Sequence, residues 1–107
     1  MKANWLIQRD FESVAGDRLP QLDPKTGVVR GLNLPFKHVD IFGPRMSEPP
    51  NRSELPLLFV IADDDGNIYY YGAANEKAEF EPLDMYGTPN AGATMIAYKR
   101  GTKWDVL

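Results

Sequence analysis

Residues 57–71 read LLFVIADDDGNIYYY, and this stretch decides the fold. Two runs of apolar, β-branched and aromatic residues flank a short acidic turn that contains Gly66, which is the pattern of a β-hairpin. The first run, Leu57 to Ile61, is apolar at every position. We therefore expect its strand to be buried on both faces, near the centre of a sheet.

Three consecutive tyrosines occupy the second strand of this hairpin. Alternation along a strand predicts that Tyr70 shares a face with Ile68, and that Tyr69 and Tyr71 point to the opposite face. One of the two faces is expected to fill the core. Tyrosines on the other face would suit a contact surface, because they bring a large area at low entropy cost.

The rest of the chain predicts a β-rich α+β fold. Further short strands are expected at residues 4–11, 94–98 and 104–107, and residues 28–29 and 36–42 are candidates for one more. A short helix is expected at 73–80, ending before Pro82, and one or two helical turns after Asp10. Residues 86–92 are small and polar and are expected to form a loop. Together these elements indicate an antiparallel sheet of about five or six short strands with one or two short helices.

A proline-rich segment covers residues 43–56. It contains four prolines, at a density that prevents regular strand pairing. We expect a long surface loop inside one domain that spans residues 1–107, and long loops of this kind often carry function.

Composition limits the possible compartments and chemistries. The 107 residues include no cysteine, which excludes disulfide scaffolds, thiolate metal sites and cysteine nucleophiles. The apolar run Trp5-Leu6-Ile7 is too short for the core of a signal peptide, and no run approaches the roughly 18 residues that span a membrane. The sequence therefore predicts a cytoplasmic protein with no membrane association.

Acidic residues are concentrated in the second half of the chain. Residues 1–52 carry eight basic and six acidic side chains, whereas residues 53–107 carry four basic and nine acidic ones. A surface of this charge repels phosphate backbones and attracts basic partners. We expect a protein partner with a basic surface and do not expect a nucleic acid.

The possible calcium, histidine and serine sites lack the further residues that their chemistry requires. The three acids at 63–65 are adjacent, whereas a helix-flanked calcium loop alternates its ligands, so a hairpin turn explains them better. His38 is the only histidine, and no serine lies in a Gly-x-Ser-x-Gly elbow. The sequence predicts no metal, no cofactor and no catalytic residue of these kinds.

One short motif points towards an enzyme. Glu79-Phe80-Glu81, together with Arg9 on an early strand, resembles the pattern of arginine-directed ADP-ribosyltransferases. That family also uses a Ser-Thr-Ser strand between the arginine and the two glutamates, and this chain has none. The alternative function is therefore a small carboxylate-dependent enzyme, which would use Glu79 and Glu81 with Arg9 or His38.

We predict a non-enzymatic protein-binding module of the inhibitor, immunity or regulatory-accessory type. An inhibitor encoded by a phage or another mobile element has this profile. A self-assembling structural protein is the third alternative, because an open sheet leaves strand edges exposed. The expected partner contacts are acids and tyrosines of the second half: Asp63, Asp64, Asp65, Tyr69, Tyr71, Glu76, Glu79 and Glu81.

Overall fold

The computed structural model describes residues 4–11, 19–32 and 54–107. These residues form seven strands: β1 (Trp5–Asp10), β2 (Gln21–Asp23), β3 (Val28–Arg30), β4 (Leu57–Ala62), β5 (Ile68–Ala74), β6 (Met95–Arg100) and β7 (Lys103–Val106). Between β5 and β6 lie a π-helical turn (Leu83–Gly87) and a short helix, α1 (Thr88–Ala91). The main sheet is antiparallel in the order β1-β5-β4-β6-β7, and β2 and β3 form a separate two-stranded sheet. The predicted β-rich α+β class is confirmed.

Strand β4 is the central strand of the main sheet, as its unbroken apolar run predicted. It pairs with β5 on one side and with β6 on the other. Phe59, Val60 and Ile61 are completely buried. Since neighbouring residues point to opposite faces, Val60 packs in one hydrophobic cluster, and Phe59 and Ile61 pack in another.

The two clusters form one core on each face of the sheet. The helix-side core includes Trp5, Phe59, Tyr70 and Tyr98, together with Leu83 from the π-helical turn. The hairpin-side core is built from Phe11, which follows β1, and from residues of the sheet and of the β2–β3 hairpin: Leu22, Val60, Ala62, Ile68, Tyr71, Ala97 and Trp104. Each face of the sheet is therefore covered by a different segment of the chain.

The predicted alternation of the three tyrosines is wrong. Tyr69 is the extra residue of a β-bulge, because the β4–β5 register shifts around it. Ile68 and Tyr71 consequently share the hairpin-side core, whereas Tyr70 lies in the helix-side core and Tyr69 packs against it. One unpaired residue in β5 therefore reverses the face of the sheet to which each later side chain of the strand points.

Both helix and loop predictions for the segment after β5 are also wrong. Strand β5 continues to Ala74, because it is paired with both β1 and β4 over the residues that were expected to begin a helix at 73–80. The predicted loop at 86–92 is helical instead, over the end of the π-helical turn and α1. It ends at Gly92, whose φ of 66° is the left-handed conformation typical of a helix C-terminus.

Other predicted elements agree with the structure. The first strand and the short strand at 28–29 are present as β1 and β3, and the last hairpin is present as β6 and β7 with a shorter turn at 101–102. The expected strand at 36–42, the helical turns after Asp10 and most of the 43–56 loop lie outside the described residues. Within the described residues, no helix has the length and apolar character needed to cross a membrane.

Candidate functional site

The residues predicted to contact a partner lie in two groups, at opposite ends of the β4–β5 hairpin. Asp63, Asp64 and Asp65 occupy the turn between the two strands, and Glu76 and Glu79 follow the far end of β5. The rise per residue of a strand separates the two ends by roughly 20 Å. The structure therefore does not bring these acids together in one cluster.

Asp63 organises the hairpin turn through hydrogen bonds to both carboxylate oxygens. Its Oδ1 accepts from the backbone N–H groups of Asp65 (3.0 Å) and Asn67 (2.9 Å). Its Oδ2 accepts from the Asn67 side chain (3.0 Å) and the Tyr69 hydroxyl (2.7 Å). Partial burial acts to raise the pKa of Asp63, but these bonds to the carboxylate outweigh it and lower the pKa. Asp63 therefore has a structural role in the turn.

The other two acids of the turn, Asp64 and Asp65, differ in how freely their carboxylates can contact a partner. The Thr94 hydroxyl donates a hydrogen bond of 2.6 Å to Oδ1 of Asp64, which ties the turn to the segment before β6. Asp65 has an exposed side chain. Of the three adjacent acids, Asp65 is the best placed to face a partner.

Tyr71 occupies the sheet interior and not a surface. Only 2% of its area is exposed, and it packs in the hairpin-side core. This burial does not agree with the expectation that Tyr71 contacts a partner. Tyr69 is half-buried and donates its hydroxyl to Asp63.

A second group of acids belongs to residues 76–85, which we call the acidic segment. It contains one basic residue, Lys77, and four acids: Glu76, Glu79, Glu81 and Asp84. Ala78 and Leu83 are buried in the helix-side core and anchor the segment to the sheet.

Two large apolar side chains of the acidic segment face outwards. Phe80 is 46% exposed and Met85 is 55% exposed. Neither residue is among the contacts predicted from the sequence. The signal for Phe80 was available, because a phenylalanine between two glutamates is an apolar side chain in a polar, solvent-facing setting.

Glu81 attaches the acidic segment to the first strand. The indole N–H of Trp5 donates a hydrogen bond of 3.0 Å to Oε1 of Glu81. The ring of Tyr86 packs edge-on against Trp5 and Tyr70, with ring centroids 6.4 Å and 4.9 Å apart. Burial, with a smaller contribution from the charge of Asp10, raises the pKa of Tyr86. These aromatic contacts hold the end of the acidic segment against the helix-side core.

A pocket of about 200 Å³ lies beside the acidic segment, and we call it the Glu79 pocket. It is lined by Leu57, Asn75, Glu76, Glu79, Tyr98, Arg100 and Leu107. Glu79 has a φ of 47°, which is the left-handed region that residues other than glycine rarely adopt. Its carbonyl oxygen accepts a hydrogen bond of 2.7 Å from the Tyr98 hydroxyl. Burial raises the pKa of Tyr98 to about 12, and the charge of Glu79 adds to the effect.

The residues of the ADP-ribosyltransferase resemblance are not assembled. Arg9 is paired with Tyr71 and lies over the ring of Phe11 at 5.8 Å, on the hairpin side of the sheet. Glu81 is bonded to Trp5 on the helix side. Arg9 does not line the Glu79 pocket. His38 lies outside the described residues.

Comparisons with known proteins give no family for this chain. It matches no protein-family model, no curated protein and no solved structure. Among the described residues, no group of three or more histidine, aspartate or glutamate side chains is arranged to hold a metal ion. The geometry of the acidic segment is therefore the main guide to function.

Proposed function

We propose that the protein is a binding module of the inhibitor, immunity or regulatory-accessory type, which presents the acidic segment to a protein partner with a basic surface. The observation that carries this proposal is the exposure of Phe80 and Met85 among four acids on an anchored segment. Apolar side chains that are surrounded by charge on an otherwise polar surface are typical of interaction sites.

The two kinds of side chain have different roles in such an interface. Phe80 and Met85 supply apolar area, and methionine adapts its shape to a partner. The surrounding acids attract a basic partner and fix its orientation, mainly through the rate of association. We expect the affinity to fall with rising salt, because exposed charges are screened.

The hairpin turn contributes less to the proposed interface. Asp63, Asp64 and Tyr69 make hydrogen bonds within the protein, so they serve to shape the turn. Asp65 is exposed and remains a proposed contact at the other end of the sheet. Tyr71 is not included, since it is buried.

The proposal is tested by capture of partners from lysate of the source cells with the tagged protein, at low and moderate salt. A triple variant with Phe80→Ser, Asp84→Asn and Met85→Ser removes the exposed apolar pair and one acid. We expect the wild type to capture one stoichiometric partner with a basic surface at low salt and to lose it as the salt concentration rises. The triple variant is expected not to capture this partner at either salt concentration. Asp105→Asn is the matched control, because Asp105 is an exposed acid on β7, outside the acidic segment.

The three substituted residues do not line the Glu79 pocket, so the experiment probes the exposed apolar pair and Asp84 separately from that pocket. Equal capture by the triple variant and the wild type would contradict the proposed interface. The absence of any specific partner from a well-folded protein would contradict the function itself.

A further inference from the structure

The Glu79 pocket has a size suited to one side chain. Its volume is about 200 Å³, whereas pockets for larger organic ligands occupy about 300–1,000 Å³. Leu57, Tyr98 and Leu107 give it an apolar lining, and only 3% of the surface of Tyr98 is exposed. A ligand that fits this pocket therefore has a slender apolar part.

The charged side chains that line the pocket determine which ligand charge it favours. The side chains of Glu76 and Glu79 bring two negative charges and that of Arg100 brings one positive charge, so the side chains of the lining sum to −1. One added positive charge neutralises this lining, whereas an anion or a zwitterion does not. The combination of an apolar stem and a single positive charge is the chemistry of an arginine or lysine side chain.

The wall that carries the two glutamates is already fixed in position. Oδ1 of Asn75 accepts a hydrogen bond of 2.9 Å from the N–H of Lys77, and the Asn75 amide donates one of 3.0 Å to the Asn4 side chain. The Tyr98 hydroxyl bonds the carbonyl oxygen of Glu79 at 2.7 Å. A ligand therefore meets a preformed pocket, which reduces the entropy lost on binding.

We propose that the Glu79 pocket receives one arginine or lysine side chain of the partner, with its stem against Leu57 and Tyr98 and its charge towards Glu76 and Glu79. This inference rests on the proposed function, because it takes the ligand to be a side chain of the protein partner. It adds a specific anchor to an interface that otherwise depends on a general charge and two exposed apolar residues.

The test uses a small probe and not the partner. Nα-acetyl-arginine-N-methylamide is titrated into the protein, and backbone amide shifts are followed by NMR. We expect saturable shifts at residues 75–79 and at Arg100, with a dissociation constant on the order of millimolar, as suits so small a ligand. The matched probe with citrulline, which has nearly the same shape and no charge, is expected to bind about fivefold more weakly.

Two variants separate the pocket from general charge attraction. The double variant Glu76→Gln and Glu79→Gln is expected to weaken binding of the arginine probe about fivefold, because both pocket charges are lost. Asp23→Asn, which removes an exposed acid from β2 on the opposite face of the sheet, is expected to leave it unchanged. Dispersed amide spectra show that each variant is folded.

Each result decides the proposal. Unsaturable or scattered shifts, equal binding of the citrulline probe, or an unchanged affinity in the double variant would overturn it. Failure of the probe to bind, alongside loss of partner capture by the Phe80, Asp84 and Met85 variant, rejects the pocket and keeps the proposed function. Probe binding without any partner keeps a cation-binding pocket and rejects the proposed function.

Discussion

The hydroxyl of Tyr98 donates a hydrogen bond of 2.7 Å to the backbone carbonyl oxygen of Glu79, and this bond joins β6 to the acidic segment. Glu79 has a φ of 47°, a conformation that costs a residue with a Cβ about 1–2 kcal/mol. Tyr98 is buried, so its hydroxyl depends on this partner within the protein. The left-handed turn is thus stabilised by a buried donor from the sheet.

Glu79→Gly is expected to raise the free energy of unfolding by about 0.5–1 kcal/mol. Glycine removes the left-handed strain, and part of this gain is offset by the greater entropy of glycine in the unfolded chain. Chemical denaturation measures the difference. Glu79→Ala is the control, because alanine removes the carboxylate but keeps a Cβ at the same φ. A gain in Glu79→Ala as large as that in Glu79→Gly would show that charge, and not backbone strain, is responsible.

Tyr98→Phe is expected to lower the free energy of unfolding by about 1–2 kcal/mol. The substitution leaves the ring in the helix-side core but deprives the Glu79 carbonyl of its donor. Urea denaturation gives the value, and amide hydrogen exchange at residues 78–81 shows where the structure loosens. Protection of these amides that is unchanged in the variant would contradict the role assigned to the hydroxyl.

Alkaline pH is expected to destabilise the wild type through the same tyrosine. Burial raises the pKa of Tyr98 from 10.0 to about 12, so the folded protein favours the neutral phenol. The unfolded chain releases this proton near pH 10, and the folded protein retains it to a higher pH. The contribution is therefore complete below pH 10 and is lost as pH rises to about 12, with a size of up to about 2 kcal/mol.

Denaturation curves between pH 9 and pH 12 measure this loss, and Tyr98→Phe is the comparison. Other groups also titrate in this range, but they are common to both proteins. The wild type should lose more stability than the variant across the interval. Parallel pH profiles for the two proteins would mean that Tyr98 does not titrate with a raised pKa.

The hairpin could be predicted because its signals are local. The apolar run 57–61 and the turn around Gly66 define two strands and their connection without reference to the rest of the chain. The faces of the tyrosines could not be predicted in the same way. The bulge at Tyr69 is set by how β5 pairs with β4, and a single sequence does not specify that register.

The prediction of a helix at 73–80 was wrong for a related reason. Ala73 and Ala74 have helical propensity, but pairing with strands on both sides outweighs a preference of a few tenths of a kcal/mol per residue.

The candidate surface was predicted only in part. Charge identified the acids, whereas the exposure of Met85 depends on which neighbours anchor the segment in the core.

Asp63→Ala is expected to lower the free energy of unfolding by about 2 kcal/mol, because it removes the carboxylate that accepts four hydrogen bonds within the turn. Thermal or urea denaturation provides the measurement. Asp65→Ala is the control, since the exposed carboxylate of Asp65 can be removed without loss of these bonds. Equal effects of the two substitutions would contradict the special role of Asp63.

Acid should reduce the difference between the wild type and Asp63→Ala. The folded protein lowers the pKa of Asp63 below its ordinary value of 3.8. The stability that the carboxylate contributes is therefore present above pH 3.8 and is lost as pH falls through the lower folded value. A difference between the two proteins that stays constant down to pH 2 would show that ionisation of Asp63 is not involved.

Gly72→Ala is expected to lower the free energy of unfolding by about 3 kcal/mol or more, or to prevent folding, because the centre of the sheet has no space for a methyl group. A Cβ at Gly72 would overlap the carbonyl oxygen of Leu6 and the ring of Phe59, and β1 and β4 both pair with β5 at this position. Gly101→Ala is the control. A Cβ there meets nothing within 4 Å, so its cost is limited to the strain of a φ of 63°, about 1–2 kcal/mol. Circular dichroism and urea denaturation compare the two variants, and a Gly72→Ala protein as stable as Gly101→Ala would contradict the close packing of β1, β5 and β4.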